Sequence, residues 1–258
     1  MAGRVGAIVL IGIVFVFLAA PIIVVVVFAF DSSARLALPY SGTSFRWFRA
    51  AFGNPMIADA LGQSIKVGVA VGVLCMALGY AGARLMLSTS RATRILVGAG
   101  SAPSVFPALL IALSFAITLR TLGLRQGTMA TILGQTLVAL PFATVVLVGR
   151  LRGLDPSFAE ASRDLGASAW RTFRLVTFPL IRGAVIAAGC LAMAISLDEF
   201  VIAFFTSGSS PTMPVVLWGL LRSTIDPTSN AVATVILGIC STLVITAIVQ
   251  MGRDIDRV

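Results

Sequence analysis

Few residues in this chain are equipped for chemistry, and two of them are adjacent. Asp198 and Glu199 sit between the uncharged stretch Gly183 to Leu197 and the apolar run Val201 to Phe205, inside or near the end of a hydrophobic helix. A charge at mid-bilayer costs at least ~2.5 to 3.5 kcal/mol on insertion scales, so the pair needs a partner or a use. Neighbouring helical residues point about 100° apart, so both cannot face one narrow spot. One is expected to face a translocation path, as counter-charge to a cation or as a proton relay, while the other pairs with an arginine or a partner helix. The competing reading is a buried ion pair at an interface with another subunit. Other chemistry is poorly supplied. The chain has no histidine, the commonest general base and metal ligand. Cys75, Cys190 and Cys240 each lie in an apolar run without CxxC spacing and are expected to be inert packing residues. The one lysine, Lys66, is followed by Val67, whereas a phosphate-binding loop needs Gly-Lys and then Ser or Thr. No catalytic residue, cofactor or metal site is expected, which leaves a membrane enzyme without support. If ATP drives this chain, another subunit must supply it.

Composition sets the elements that position the acidic pair. Of 258 residues, 58% are hydrophobic and 11% charged, against about half and about a quarter in a soluble domain. An all-α, polytopic membrane protein follows, treated as one domain over 1–258. Six uncharged stretches read as spans: Val5 to Phe30, Val67 to Ala83, Ile95 to Leu119, Gln126 to Gly149, Gly183 to Leu197 and beyond, and Pro227 to Gly252. Each reaches the ~20 residues a crossing needs once flanking side chains snorkel. The net charge of +9 comes from arginines scattered between these blocks, not from one patch, so it speaks for membrane orientation and against nucleic acid. With both termini in the cytoplasm, Arg84, Arg91, Arg94 and the arginines of 150–182 fall inside, which the positive-inside rule favours. Leu18-Ala19-Ala20 is like a cleavage site, but the apolar run continues to Phe30, so the first helix is expected to remain uncleaved. Pro103, Pro107 and Pro141 predict kinks, and Gly68, Gly72, Gly79 and Gly82 predict close helix packing.

Two loops stand out. The outer one, 31–63, carries Trp47 with Phe45, Phe48 and Phe52 at helical spacing and is expected to lie along the membrane surface. The cytoplasmic one, 150–182, predicts two short helices. The first starts at Asp155-Pro156 or at a Ser157/Glu160 capping box, shows Phe158, Ala161 and Leu165 on one face with Arg163 and Asp164 on another, and ends at Gly166 in a left-handed turn. The second covers Ser168 to Arg174 with Trp170 and Phe173.

The string Glu160-Ala161-Ser162, three residues, Gly166, nine residues, Val176-Thr177-Phe178-Pro179 resembles the EAA loop of ABC importer permeases, E-A-A, x3, G, x9, I-x-L-P. Spacing matches throughout; Ser162, Val176 and Phe178 are the departures. The resemblance implies a type I importer architecture of six transmembrane helices and a cytoplasmic coupling loop that docks onto an ATPase subunit, with Phe158, Glu160, Ala161, Asp164, Leu165, Gly166 and Pro179 as coupling residues. Ser196-Leu197-Asp198-Glu199-Phe200-Val201-Ile202, with Thr212-Met213-Pro214 and Arg222, is similar to the second permease of spermidine/putrescine-type importers. Phe45-Arg46-Trp47-Phe48 and Ser64 are similar too, although Gln63 replaces an Asn and Glu199 an Asp. This implies polyamines or similar organic cations as cargo, with Ser196, Asp198, Glu199 and Phe200 along the path. It also implies a bacterial inner-membrane location and, as partners, a homologous second permease, two ATP-binding subunits and an extracytoplasmic binding protein. Ferric ion, an amino-phosphonate or an opine remain alternative cargoes, and a stand-alone secondary transporter or channel an alternative class.

Overall fold

The computed structural model describes residues 2–34, 40–88, 90–100, 106–223 and 227–255. Twelve α-helices occur among them: α1 (Ala2–Ala29), α2 (Arg46–Gly53), α3 (Pro55–Met86), α4 (Arg91–Gly100), α5 (Ala108–Thr121), α6 (Thr128–Arg152), α7 (Ser157–Asp164), α8 (Ala169–Thr172), α9 (Phe178–Asp198), α10 (Val201–Thr206), α11 (Met213–Ser223) and α12 (Thr228–Ile255). A π-helical turn, Phe173–Thr177, joins α8 to α9. The only extended pairing among the described residues is an isolated bridge between Asp31 and Thr43.

Five of these segments are long and apolar enough to cross a membrane: Gly6–Ala29, Pro55–Met86, Thr128–Arg152, Ala169–Asp198 and Thr228–Gly252. The expected span from Ile95 to Leu119 is instead divided into α4 and the 14-residue α5. Proline accounts for the division: Pro107 sits at the N-cap of α5, where its ring fixes φ and its missing N–H costs no helical bond. Pro103 lies outside the described residues. The outer loop also ends earlier than 63, because Asn54 starts α3. Its side-chain Oδ1 accepts the Met56 N–H at 3.0 Å and its carbonyl those of Ile57 and Ala58, with Pro55 as the first helical residue.

The chain divides into two compact units. One comprises Met1–Asp59 with Val216–Gly238. Within it the outer loop is pinned at Asp31, which is 1% exposed. The Asp31 carboxylate accepts the N–H groups of Ser33 (3.0 Å) and Ser41 (3.2 Å), and its carbonyl accepts the Trp47 indole N–H at 2.7 Å. The Ser33 N–H, opposed by burial and helped by that of Ser41, holds the carboxyl below its ordinary range. Trp47 and Phe48 pack with Phe30 and Ala231, while Phe45 and Phe52 stay exposed. Arg46 stacks over the Trp47 ring at 4.2 Å.

The other unit comprises Ala60–Val215 with Ile239–Val258 and is built on α3, α6 and α9. Its core is small: Val67, Val71 and Cys75 from α3 meet Ala139, Ala143 and Leu147 from α6 and Ala184, Ala188 and Ala192 from α9. Small side chains let the backbones approach, which is how helices associate where lipid offers no hydrophobic contrast. A Cβ at Gly72 would stand 3.0 Å from the Gly189 carbonyl oxygen. Gly68, Gly72, Gly79 and Gly82 therefore serve packing, as their spacing predicts.

Candidate functional site

Two places carry the residues singled out above, and both lie in the unit built on α3, α6 and α9. The first is the knob between α6 and α9. Asp155 Oδ1 accepts the Ser157 N–H at 2.9 Å and so starts α7, and this bond holds the Asp155 carboxyl below its ordinary range. Glu160 does not close a capping box; Pro156 is the N-cap and its carbonyl accepts the Ala159 and Glu160 N–H groups. Gly166 ends the helix at φ +82°, the left-handed conformation expected of it.

The second helix of the knob is shorter than Ser168 to Arg174. α8 is a single turn capped by Ser168 Oγ, and from Phe173 the chain winds as a π-turn straight into α9. Tyr80, Trp170, Phe173 and Phe178 form a chain of ring contacts around this joint, at centroid distances of 5.2 to 5.9 Å. The knob is tied down twice. The Ser162 and Thr172 hydroxyls meet at 3.1 Å, and the Arg150 guanidinium donates from Nε and Nη2 to the Leu180 carbonyl at 3.2 and 2.9 Å.

Phe158, Ala161 and Leu165 line one groove of about 630 Å³ with Ser162, Leu175 and Val176. Leu165 is 90% exposed, and Glu160, Asp164, Gly166 and Pro179 are exposed as well. Arg171 also lines the groove. Phe158, Ala161 and Leu165 thus form a grouped apolar strip beside Arg171, rarer on a surface than single exposed leucines.

The second place is the break between α9 and α10. α9 ends at Asp198; Glu199 leaves the helix with ψ 98°, and α10 resumes at Val201. Among the described residues Glu199 is not paired with an arginine. Its Oε1 accepts the Ile202 N–H at 3.0 Å and so caps α10, since an interrupted helix frees N–H groups that apolar surroundings cannot satisfy. Among the described residues neither Asp198 nor Glu199 forms an ion pair. Asp198 is exposed on this chain, Glu199 is half-buried, and Phe200 stacks on Phe204 at 5.5 Å. Ser196 points inward, 4% exposed, and donates to Gln135 Oε1.

Gln135 is the residue that sequence reasoning passed over. It lies in the N-terminal third of α6, and its one signal was an amide inside an otherwise uncharged, mostly apolar stretch. Thr131, one turn before it, accepts a hydrogen bond from the Thr206 hydroxyl at 3.1 Å and so fastens α10 to the same face of α6. Among the described residues no group of three or more Asp, Glu, Cys or His could hold a metal ion. The break can therefore present one carboxylate, Asp198, to a passing cation, while the other is spent on the backbone.

Residues 68–255 match the family model described as binding-protein-dependent transport system inner membrane component. The chain is 31% identical to the putrescine transport system permease protein PotI of Escherichia coli (strain K12), over 94% of this chain and 92% of that one. It is 28% identical to the spermidine/putrescine transport system permease protein PotC of Haemophilus influenzae, over 90% and 91%. Among solved structures it is similar in fold to a chain of a bacterial ABC transporter that imports the acidic polysaccharide alginate. The TM-score there is 0.68 at 19% identity, covering 96% of this chain and 95% of that one.

Proposed function

We propose, because this chain belongs to the family of binding-protein-dependent transport system inner membrane components, that it is the permease subunit through which an ATP-driven importer passes polyamines or similar organic cations. The observation that carries the cargo is Asp198, a carboxylate exposed at a break in a membrane helix with no ion-pair partner among the described residues. A charge in that position is stabilised by a mobile cation when one passes, and a polycation gains most from it. The putrescine and spermidine/putrescine permeases among its relatives, each more than nine-tenths covered, support the same cargo.

In this reading the whole chain works as one permease domain with both termini in the cytoplasm. A homologous second permease completes the path, an extracytoplasmic binding protein delivers the cation, and two ATP-binding subunits dock on the 150–182 loop. Phe158, Ala161 and Leu165 enter the ATPase surface, Glu160 and Asp164 flank them, and Gly166 and Pro179 set the shape of the loop. ATP-driven movement of the knob shifts the bundle between outward-facing and inward-facing populations. Asp198 meets the cation in the path beside Phe200, while Ser196 and Glu199 hold the local backbone.

The test is reconstitution of the complete complex in proteoliposomes with labelled putrescine and spermidine. ATP-dependent accumulation that needs the binding protein is expected. Accumulation by this chain without any ATPase, or ATP-driven uptake of ferric ion, a phosphonate or an opine but of no polyamine, overturns the proposal.

A further inference from the structure

The amide of Gln135 bridges the break from the α6 side. It is 1% exposed, and both ends of the amide are used: Nε2 donates to the Glu199 carbonyl at 3.2 Å, and Oε1 accepts the Ser196 hydroxyl at 2.5 Å. The Glu199 carbonyl points away from the helix axis because of the residue's extended ψ, so it has lost the bond a continuous helix would have given it. In a membrane interior such a carbonyl must be satisfied from outside its own helix. α6 and α10 pack closely at this level, since a Cβ at Gly134 would stand 2.6 Å from the Ile202 Cγ2 methyl. One side chain thus holds the last turn of α9, through Ser196, and the peptide after Glu199, through the Glu199 carbonyl.

We propose that Gln135 is a positioning residue for transport: by fixing the backbone on both sides of Asp198 it sets where that carboxylate stands, and thereby which spacing of positive charges the path accepts. This rests on the reading that Asp198 faces the cation path. A buried amide with only a folding role would make the complex more abundant or more stable without touching the choice between cations. A positioning role changes that choice. Putrescine carries two ammonium groups on a four-carbon chain and spermidine a third group on a longer one, so a displaced carboxylate weights them differently.

The experiment uses Gln135→Leu, which keeps the bulk and removes both hydrogen bonds, in the complete complex with its ATPase, sister permease and binding protein. Two quantities are measured per assembled complex. One is the ratio of maximal putrescine to spermidine uptake. The other is the rate at which a small cationic thiosulfonate labels Asp198→Cys, with Cys75, Cys190 and Cys240 changed to Ala, with and without Gln135→Leu. The expected result is a change of at least about threefold in the uptake ratio together with at least about fivefold in the labelling rate. Equal loss for both cations, or an unchanged labelling rate, overturns the proposal. A changed labelling rate with an unchanged ratio overturns its selectivity part. If Gln135→Leu fails to assemble, Ser196→Ala removes one of the two bonds and is read by the same criteria. Should the unmodified complex carry no polyamine at all, the cargo reading fails, whereas the labelling rate still decides whether Gln135 positions residue 198.

Discussion

Replacement of Gly166 isolates the shape of the knob from its chemistry. Gly166 holds φ +82°, and a Cβ placed there would meet no heavy atom within 4 Å, so a side chain is opposed by backbone conformation and not by a clash. The left-handed conformation costs an L-residue roughly 1 to 2 kcal/mol, less for Asn and more for a β-branched residue. If the ATPase recognises α7 and α8 in their present relation, that penalty appears as weaker docking, and 1 to 2 kcal/mol is about a 5- to 30-fold change in an equilibrium. The order Gly, Asn, Ala, Val is therefore expected in both ATPase retention and ATP-dependent uptake. Gly166→Asp should be worse than its backbone alone dictates, because it adds a negative charge beside Asp164. Retention is measured by pull-down of the ATPase with tagged permease in detergent, uptake in vesicles, and folding by the thermal midpoint of the purified permease, which should stay within a few degrees. Wild-type retention and uptake in Gly166→Val would refute the reasoning, as would equal losses in the Asn and Val variants.

Gly134→Ala should destabilise the bundle by roughly 1 to 3 kcal/mol through overpacking against Ile202. Thermal unfolding in detergent checks it, and an unchanged midpoint counts against the close contact of α6 and α10. Asp198→Asn should reduce cation uptake far more than Glu199→Gln, since a glutamine oxygen can still accept the Ile202 N–H; equal losses in transport assays would remove the division of labour between the two. Asp31 is a depressed carboxylate, so its contribution is present above the unfolded value of about 3.9 and is lost as pH falls through its lower folded value. Trp47 fluorescence, in a chain with Trp170 and Trp218 changed to Phe, should therefore stay constant from neutral pH down to about 4 and change only below it. A transition near pH 6 would contradict the hydrogen-bonding scheme around Asp31.

Long uniform patterns in the sequence survive in the structure where local rules suffice. The 150–182 loop was legible because its signals are short-range: Asp155 before Pro156 starts α7, Gly166 ends it, and Phe158, Ala161 and Leu165 recur on one face. Hydropathy alone located five of the spans. Between Ile95 and Leu119 it missed the helix start at Pro107, because an average over apolar residues is blind to one. The outer loop extends too far in the sequence reading because Asp59 and Gln63 let Pro55 to Gln63 pass for loop, although the Asn54-Pro55 cap already commits that stretch to α3. Which of the two carboxylates serves the backbone was not legible, because it depends on where the helix breaks: the break at Glu199 frees the Ile202 N–H, and Glu199 Oε1 accepts it. Gln135 was overlooked because its two partners are 61 and 64 residues away, a separation that no local rule reaches.

The π-turn at Phe173–Thr177 has a consequence for how the chain can change in length. Such a turn closes its bonds one residue later than an α-turn and so houses one more residue without disturbing the helix on either side. Loss of a single residue within it would let the segment tighten to α, leaving Trp170 and Pro179 on the sides they now occupy. The same loss within α9 would rotate everything beyond it by about 100°, turning the Ala184, Ala188 and Ala192 face away from α6. The joint between the 150–182 loop and α9 can thus give up a residue that α9 itself cannot, a reserve of length beside a span that can spare none.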